Sequence, residues 1–184
     1  PTTMRADDDA CTCTVNKTYN VDVCIGGTNY NMDVSFCETN YPLNNLPMGD
    51  CLTGRGMNRK SVLRKICFTG TPPSGYTDAQ IIGYLLCHIK TTACNTPSSP
   101  YGFVVPAPPL SFYCWEIKVP KCTARDNGCI VPCSECLFCI HAYAWERTSG
   151  SCGLDISRRC NPFTGCDGTT CTENGDCPFE TCCN

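Results

Sequence analysis

The stretch that decides the fold is residues 18–36, TYNVDVCIGGTNYNMDVSF. On each side of Gly26-Gly27, apolar residues alternate with polar residues or Cys, which is the pattern of a half-buried strand. The Gly-Gly pair supplies the positive φ angles of a two-residue hairpin turn. That turn fixes the register, which pairs Val23 with Tyr30, Val21 with Met32 and Tyr19 with Val34. The sequence therefore predicts a β-hairpin with its large apolar groups on one face, and with Cys24 and Cys37 on the other.

A short helix is predicted after the hairpin. Residues 77–80, Thr-Asp-Ala-Gln, have the form of a capping box. Apolar residues then recur at helical spacing, at Ile81, Ile82, Leu85, Leu86 and Ile89. We expect a helix over about 77–90 that packs on the apolar face of the hairpin, because so short a helix is not stable alone. Residues 62–68, which lie between the two elements, predict another strand.

The second half of the chain also favours strands. Tyr113 to Val119 alternate in polarity and end at Pro120, and residues 137–145 are apolar on both faces. From Cys152 onward we expect a disulfide-laced series of turns. The predicted fold class is therefore mainly β and disulfide-rich, with a hairpin sheet, one short helix and a turn-rich, cysteine-dense C-terminal region.

The cysteine content predicts an oxidising compartment. Twenty-one of 184 residues are Cys, about 11%, and the net charge is −3. Thiols at this density would stay reduced in the cytosol, so a secreted, extracellular protein is expected. The start at Pro1 fits removal of a signal peptide. No apolar run approaches the roughly 18 residues that a membrane span needs, so no membrane span is predicted.

A proline-rich stretch separates two differently composed halves. We predict a polar N-terminal arm at 1–10, a β-rich domain with one helix at 11–95, a Pro-rich linker at 96–110 and a cysteine-dense β/turn domain at 111–184. The alternative is a rigid loop within a single domain. Eight cysteines precede residue 96 and thirteen follow it, so the odd cysteine lies in the second half if the two halves do not exchange bridges. The candidates for an unpaired or interchain cysteine are Cys182 and Cys183, or one member of the Cys129–Cys139 cluster.

One local stretch resembles a known family. Residues 171–183, CTENGDCPFETCC, resemble the C-x5-DC-x4-CC pattern of whey-acidic-protein modules and other knottin-type folds, where it staples a very small core. The chain stops at Asn184, so the cysteines that such a module carries after the adjacent pair are missing. Protease inhibition is therefore not carried over, and no family is recognised for the rest of the chain.

A second cysteine cluster has the spacing of a metal site. Close C-x2-C spacing suits tetrahedral zinc, and the candidate ligands are Cys129, Cys133, Cys136, Cys139 and His141. Disulfides to neighbouring strands are the alternative, which an oxidising compartment favours. We therefore predict no metal and no cofactor. His88 and His141 lie in no motif that pairs a nucleophile with a base, so the protein is not expected to be an enzyme.

Charge is unevenly distributed along the chain. Asp7-Asp8-Asp9 make the N-terminus acidic, whereas Arg55, Arg59, Lys60, Arg64 and Lys65 form the basic segment Arg55–Lys65. The basic segment is interpreted either as a solvated loop or as a surface that binds the acidic ends of another copy. No nucleic-acid partner is expected, because the segment lacks interleaved aromatic residues.

Several positions match glycosylation motifs. Asn16-Lys17-Thr18 is an N-glycosylation sequon. Tracts rich in Ser, Thr and Pro predict further O-linked or hydroxyproline-linked glycans at Thr71, Pro72, Pro73, Thr96, Pro97, Pro100, Pro106, Pro108 and Pro109.

Together these features favour a secreted structural glycoprotein. The expected role is a subunit of a self-associating extracellular filament, coat or matrix, in which the N-terminal arm adds to the open sheet edge of a neighbour. The alternative is a monomeric secreted binding module, such as an inhibitor, a toxin-like ligand or a receptor domain.

Overall fold

A computed structural model describes residues 15–41, 58–94, 99–103, 105, 112–133, 138–148, 151–159, 172–173, 178 and 181–183, with the backbone alone for 155–159 and 172–173. These residues form strands and one helix. In chain order the elements are β1 (Val15–Ile25), β2 (Thr28–Asn40), β3 (Arg59–Phe68), α1 (Asp78–Thr92), β4 (Phe112–Pro120), β5 (Cys122–Asp126), β6 (Cys129–Pro132), β7 (Phe138–Thr148), β8 (Ser151–Arg159) and β9 (Thr172–Glu173).

The predicted hairpin is confirmed in its turn and in its register. Gly26 and Gly27 have φ angles of 60° and 91°, and β1 pairs with β2 so that Val21 lies opposite Met32. One face is buried, from Val21 to Ile25 on β1 and from Met32 to Phe36 on β2. The ring of Tyr76 packs over the turn so closely that a side chain at Gly26 would meet its hydroxyl.

The predicted capping box and helix are also confirmed. The Thr77 hydroxyl accepts a hydrogen bond from the Gln80 backbone, and the Gln80 side chain accepts one from the Thr77 backbone. α1 continues to Thr92 and buries its apolar stripe against the curled sheet. Among the described residues, no helix is long and apolar enough to cross a membrane.

A single sheet joins the two halves of the chain, which corrects the predicted division into domains. β3 pairs with β2 on one side, and on the other side with β4 in parallel and with β6 in antiparallel orientation. The sheet order is β8-β7-β4-β3-β6-β5-β9, with β1 and β2 branching from β3. Strands from 11–95 and 111–184 are therefore neighbours, so these ranges are not separate domains.

The predicted linker at 96–110 also contributes to the core. Tyr101, Phe103 and Val105 are buried. The Tyr101 and Phe103 rings pack edge-on against Trp115 on β4, at centroid distances of 5.5 and 6.1 Å. Aromatic side chains bury large apolar areas, so this segment anchors the core in place of spacing two domains.

The C-terminal region contains a strand where we predicted only turns. β8 pairs along β7 with a bulge between Ala144 and Trp145. Leu154 and Ile156 alternate with polar residues, a short period-two pattern that the surrounding Gly, Ser and Cys residues obscure. The predicted fold class is nevertheless confirmed, because the protein is mainly β, has one helix and is rich in disulfides.

Candidate functional site

A cavity of about 210 Å³ lies between the edge strand β1 and the helix α1. Its walls come from β1, α1 and the C-terminal segment 181–183. The lining residues are Val23, Cys24, Tyr84, Cys87, His88, Thr91, Thr181, Cys182 and Cys183. Pockets for drug-sized ligands are usually larger, about 300–1,000 Å³. This cavity therefore fits a single side chain or a very small molecule.

Two disulfides hold the C-terminal segment across this cavity. Cys182 is bonded to Cys87 on α1, and Cys183 is bonded to Cys24 on β1. The Thr181 backbone also donates a hydrogen bond of 3.0 Å to the carbonyl of Gly83. The prediction that Cys182 and Cys183 are unpaired or interchain is therefore wrong. Cys182 and Cys183 cross-link the C-terminal segment to α1 and β1 of the same chain, and they do not pair within 171–183.

All thirteen cysteines that the structure describes are disulfide-bonded. Four bonds have both partners described: Cys24–Cys183, Cys67–Cys129, Cys87–Cys182 and Cys94–Cys152. Each of the four joins a residue before 96 to a residue after 111. The two halves therefore exchange bridges, so the argument that placed the odd cysteine in the second half no longer holds.

The described cysteines of the candidate metal cluster form cross-links. Cys129, Cys133 and Cys139 are disulfide-bonded and offer no thiolate ligands. His141 lies buried on β7, and Cys136 lies outside the described residues. Within the described part of the chain, no group of three or more His, Cys, Asp and Glu side chains could hold a metal ion.

His88 connects the cavity to the core. Its Nδ1 lies 2.7 Å from the hydroxyl of Tyr101, a residue with no exposed surface. Burial raises the pKa of Tyr101, so the phenol keeps its proton. We assign this hydroxyl as the donor to Nδ1, because Nδ1 is its only hydrogen-bond partner among the described residues. The His88 proton then resides on Nε2.

Burial also determines the charge of His88. Desolvation lowers the pKa of the imidazole, and the carboxylate of Asp22 opposes this shift to a smaller extent. His88 is therefore neutral at pH 7. A neutral imidazole with one N–H can donate a hydrogen bond, but it does not attract an anion as a cation would.

A buried ion pair lies behind Tyr101. Arg59 on β3 lies 3.8 Å from Glu38 on β2 and donates a hydrogen bond of 2.9 Å to the Tyr101 carbonyl. The Glu38 carboxylate accepts hydrogen bonds from the hydroxyls of Tyr19 and Ser61. Its second cationic neighbour is Lys17, at 3.7 Å, whose side chain is 43% exposed. These contacts satisfy a carboxylate that would otherwise be costly to bury.

Aromatic rings enclose the Arg59 guanidinium. Its Cζ lies 4.7 Å from the Trp115 ring centroid, 5.4 Å from that of Phe103 and 5.9 Å from that of Tyr113. A guanidinium can stack on aromatic faces and still form hydrogen bonds in its plane. The predicted basic segment is therefore not a surface loop at this point, because Arg59 belongs to the core.

The other described residues of the basic segment differ in their exposure to solvent. β3 lies inside the sheet, where Lys60 and Arg64 are half-buried and Lys65 is exposed. Arg55 and the N-terminal arm lie outside the described residues. The segment therefore does not form one continuous basic surface along β3.

The predicted glycosylation positions differ in accessibility. Asn16 is exposed on β1, and Thr71 and Pro72 are exposed before α1. Pro73 is buried and therefore poorly placed to carry a glycan, and Pro100 is half-buried. Five predicted positions lie outside the described residues: Thr96, Pro97, Pro106, Pro108 and Pro109.

The second candidate site is the free side of β1. In a hairpin closed by a two-residue turn, the residues that flank the turn, here Ile25 and Thr28, form a hydrogen-bonded pair, and such pairs recur at every second residue. The even-numbered β1 residues therefore direct their backbone N–H and C=O groups away from β2. The outward N–H and C=O groups of Thr18, Asn20 and Asp22 meet no strand in the described part of the chain. The C-terminal segment reaches this strand only near the turn, where Gly27 N–H lies 3.3 Å from the Cys183 sulfur.

No family model, curated protein or solved structure matches this chain.

Sequence patterns did not reveal the two main features of the site. The Glu38–Arg59 pair was missed because Arg59 begins the sequence RKSVLRK, which looks solvent-exposed. The cavity was missed because it depends on two disulfides with sequence separations of 159 and 95 residues. A weak signal for the cavity was His88, a polar residue within the apolar repeat of α1.

Proposed function

We propose that the protein is a secreted structural subunit that self-associates through the outer strands of its sheet. The observation that carries this proposal is the pair of long strands, β1 and β8, each of which is hydrogen-bonded on one side only within the described residues. Exposed strand edges pair readily with other chains, and natural proteins usually protect them.

Within the described part of the chain, β1 lacks the sequence features that usually protect an edge strand. It has eleven residues, contains no proline and keeps an unbroken register with β2. Edge strands are commonly shielded by prolines, bulges or several lysines, and Lys17 is the only lysine in β1. A glycan on Asn16 would project from the face of the sheet, because side chains stand perpendicular to it, and would leave the backbone edge from Thr18 onward accessible.

Apolar exposure coincides with these two strands. In the described residues, two large apolar side chains are exposed: Val15, at 48%, and Leu154, at 39%. Val15 begins β1 and Leu154 lies in β8, at the other end of the sheet order. Pairing of β1 with β8 of another copy would bring both strands into a continuous sheet and reduce this exposure.

The contact between β1 and β8 is heterologous, because each copy uses a different surface on each side. Such contacts do not close unless the rotation between copies completes a ring, so they generate filaments or sheets. The disulfides support this role in another way, since they fasten the subunit internally and fit an extracellular location.

A proline on the free side of β1 tests this proposal. Asn20→Pro removes an outward N–H and leaves the β1–β2 ladder intact, because proline is tolerated where no N–H is required. Asn20→Ala is the matched control, since it removes the same side-chain hydrogen bonds to Asn31 and Asp33. We expect polymers in negative-stain images of the native protein and of Asn20→Ala, and monomers for Asn20→Pro.

The proposal is wrong if native protein at high concentration is a monodisperse monomer, or if Asn20→Pro assembles as well as Asn20→Ala. The first result would favour a monomeric binding module. The observation that supports that second function is the cavity beside β1, which Cys182 and Cys183 help to line.

A further inference from the structure

The chemistry of the cavity between β1 and α1 selects the kind of ligand that it can hold. We propose that this cavity binds a small neutral phenol, whose ring lies against the two disulfides and whose hydroxyl oxygen accepts a hydrogen bond from Nε2 of His88. Free phenols and the side chains of tyrosine residues share this chemistry. The inference goes beyond the proposed function, because it does not depend on assembly through the outer strands.

The cavity has room for one small group. Its helix wall is formed by side chains that are three or four residues apart and therefore share one face of α1: Tyr84, Cys87, His88 and Thr91. Val23 in the strand wall is buried, whereas Thr91 is exposed, so the cavity opens to solvent on one side. Its volume of about 210 Å³ corresponds to about seven water molecules at about 30 Å³ each, so it admits a ligand the size of phenol.

His88 supplies the cavity with a fixed hydrogen-bond donor. Its Nδ1 accepts a hydrogen bond from the hydroxyl of the buried Tyr101, so the proton of the imidazole is on Nε2. The two nitrogens lie on different sides of the ring, so Nε2 faces away from Tyr101. Because the His88 side chain lines the cavity and Nε2 has no hydrogen-bond partner among the described residues, this N–H is available to a ligand.

Tyr84 favours a ligand hydroxyl over a ligand carbonyl. This residue also lines the cavity, and its hydroxyl forms no hydrogen bond with any described residue. A ligand hydroxyl can accept a hydrogen bond from Nε2 of His88 and donate one to the Tyr84 oxygen, whereas a carbonyl can only accept. A hydroxyl therefore satisfies both polar groups.

The rest of the lining favours an aromatic ring. The cavity is lined by both cysteine pairs of the C-terminal segment, Cys87–Cys182 and Cys24–Cys183. Sulfur is polarisable and makes favourable contacts with aromatic rings. The Tyr84 ring adds a further aromatic contact. An aromatic ring therefore gains more from this cavity than an aliphatic group of the same size.

The electrostatics of the cavity favour a neutral ligand. None of its described lining residues is charged at pH 7, because burial lowers the pKa of His88 and keeps the imidazole neutral. The charge that acts on this imidazole is the Asp22 carboxylate, which would repel an anion. A cation would meet the Nε2–H donor and would lose its hydration without a carboxylate in the described lining.

A nuclear magnetic resonance titration of the native protein with phenol tests the site. The chain has two histidines, so the ring signals of His88 can be followed with those of His141, which is buried on β7, as an internal reference. We expect phenol to bind in about the millimolar range, as is usual for so small a ligand, and to shift the His88 signals more than those of His141.

Toluene separates the hydrogen bond from the shape of the cavity, because it carries a methyl group in place of the hydroxyl. His88→Leu should weaken the binding of phenol about fivefold to tenfold and that of toluene less than about twofold. Thr92→Val is the matched control. It removes a hydroxyl that donates to the His88 carbonyl but does not line the cavity, so it should leave both affinities within about twofold.

Two further ligands test the charge and the source of the phenol group. Benzoate should bind at least about tenfold more weakly than phenol, because the cavity offers an anion no cation. Binding of N-acetyltyrosinamide with the same shift of His88 would support the proposal with a tyrosine side chain as the ligand. Binding of phenol but not of N-acetyltyrosinamide would support it with a free small molecule as the ligand.

Three results would overturn the proposal. The first is an unshifted His88 ring at phenol concentrations up to about 20 mM, which needs no variant to observe. The second is an equal loss of phenol and toluene binding in His88→Leu, with near-ultraviolet circular dichroism showing a retained fold. The third is binding of benzoate as tight as that of phenol.

Discussion

The buried pair of Glu38 and Arg59 allows a quantitative prediction about stability. Arg59→Ala removes the buried cation beside a carboxylate that is 1% exposed, and it leaves Lys17, whose side chain is 43% exposed, as the remaining cationic neighbour. Removing one member of a buried ion pair typically costs about 3–5 kcal/mol, because the other charge stays buried. The substitution also removes the hydrogen bond to the Tyr101 carbonyl and the stacking on Trp115. We therefore expect a loss of about 4 kcal/mol in the free energy of unfolding.

The assay is equilibrium unfolding in urea with the disulfides intact, followed by tryptophan fluorescence. Both tryptophans, Trp115 and Trp145, are buried and report on the core. For a chain of this length, a loss of about 4 kcal/mol lowers the melting temperature by about 8–16 °C. Arg59→Lys keeps the charge but loses the planar fork, so it should cost less than Arg59→Ala.

A double-mutant cycle tests whether the two residues interact. The combination Glu38→Gln/Arg59→Met should cost at least about 1.5 kcal/mol less than the sum of its two single changes, because it removes both charges together. A cost below about 1 kcal/mol for Arg59→Ala would refute the reasoning. That result is typical of a solvated surface residue, the environment that the sequence alone predicts for Arg59.

Three further predictions follow from local geometry. Gly26→Ala should lower the free energy of unfolding by about 1 kcal/mol more than Gly27→Ala, because a methyl group at residue 26 meets the ring of Tyr76 and one at residue 27 does not. Equal losses for the two variants would contradict this packing. The pKa of His88 is lower in the folded state than in the unfolded state, so the unfolded chain takes up a proton first as the pH falls below about 6.5 and the folded state loses stability. Between pH 7.5 and 5, the free energy of unfolding should therefore fall less for His88→Gln than for the native protein, as measured by denaturation curves. Proteolytic digestion without reduction should yield two peptides joined through Cys87 and Cys182. Replacing both cysteines by Ser should lower the free energy of unfolding by about 2–5 kcal/mol. Recovery of either cysteine as a free thiol would contradict the pairing.

The elements that could be predicted are those specified by adjacent residues. Gly26-Gly27 determines both the turn and the register of the hairpin, and the capping box of Thr77 and Gln80 marks the start of the helix. In both cases the physical cause lies within a few residues of its effect, so the sequence contains enough information to locate the element.

The features that could not be predicted depend on contacts between distant segments. The parallel pairing of β3 with β4 brings Arg59 beside Trp115, and this pairing converts a basic sequence into a buried one. Tyr101 lies in a proline-rich sequence that is typical of a linker, yet it fills the space between α1 and β4. The cysteine pairing is equally non-local, because six cysteines already allow 15 pairings.

The most direct test of the central claim, assembly through the outer strands, is sedimentation velocity of the native protein over a range of concentrations. Edge pairing of β1 with β8 predicts an open-ended series of oligomers that grows with concentration and disappears in Asn20→Pro but not in Asn20→Ala. A single species with the 20.1 kDa mass of one chain at every concentration would contradict the claim.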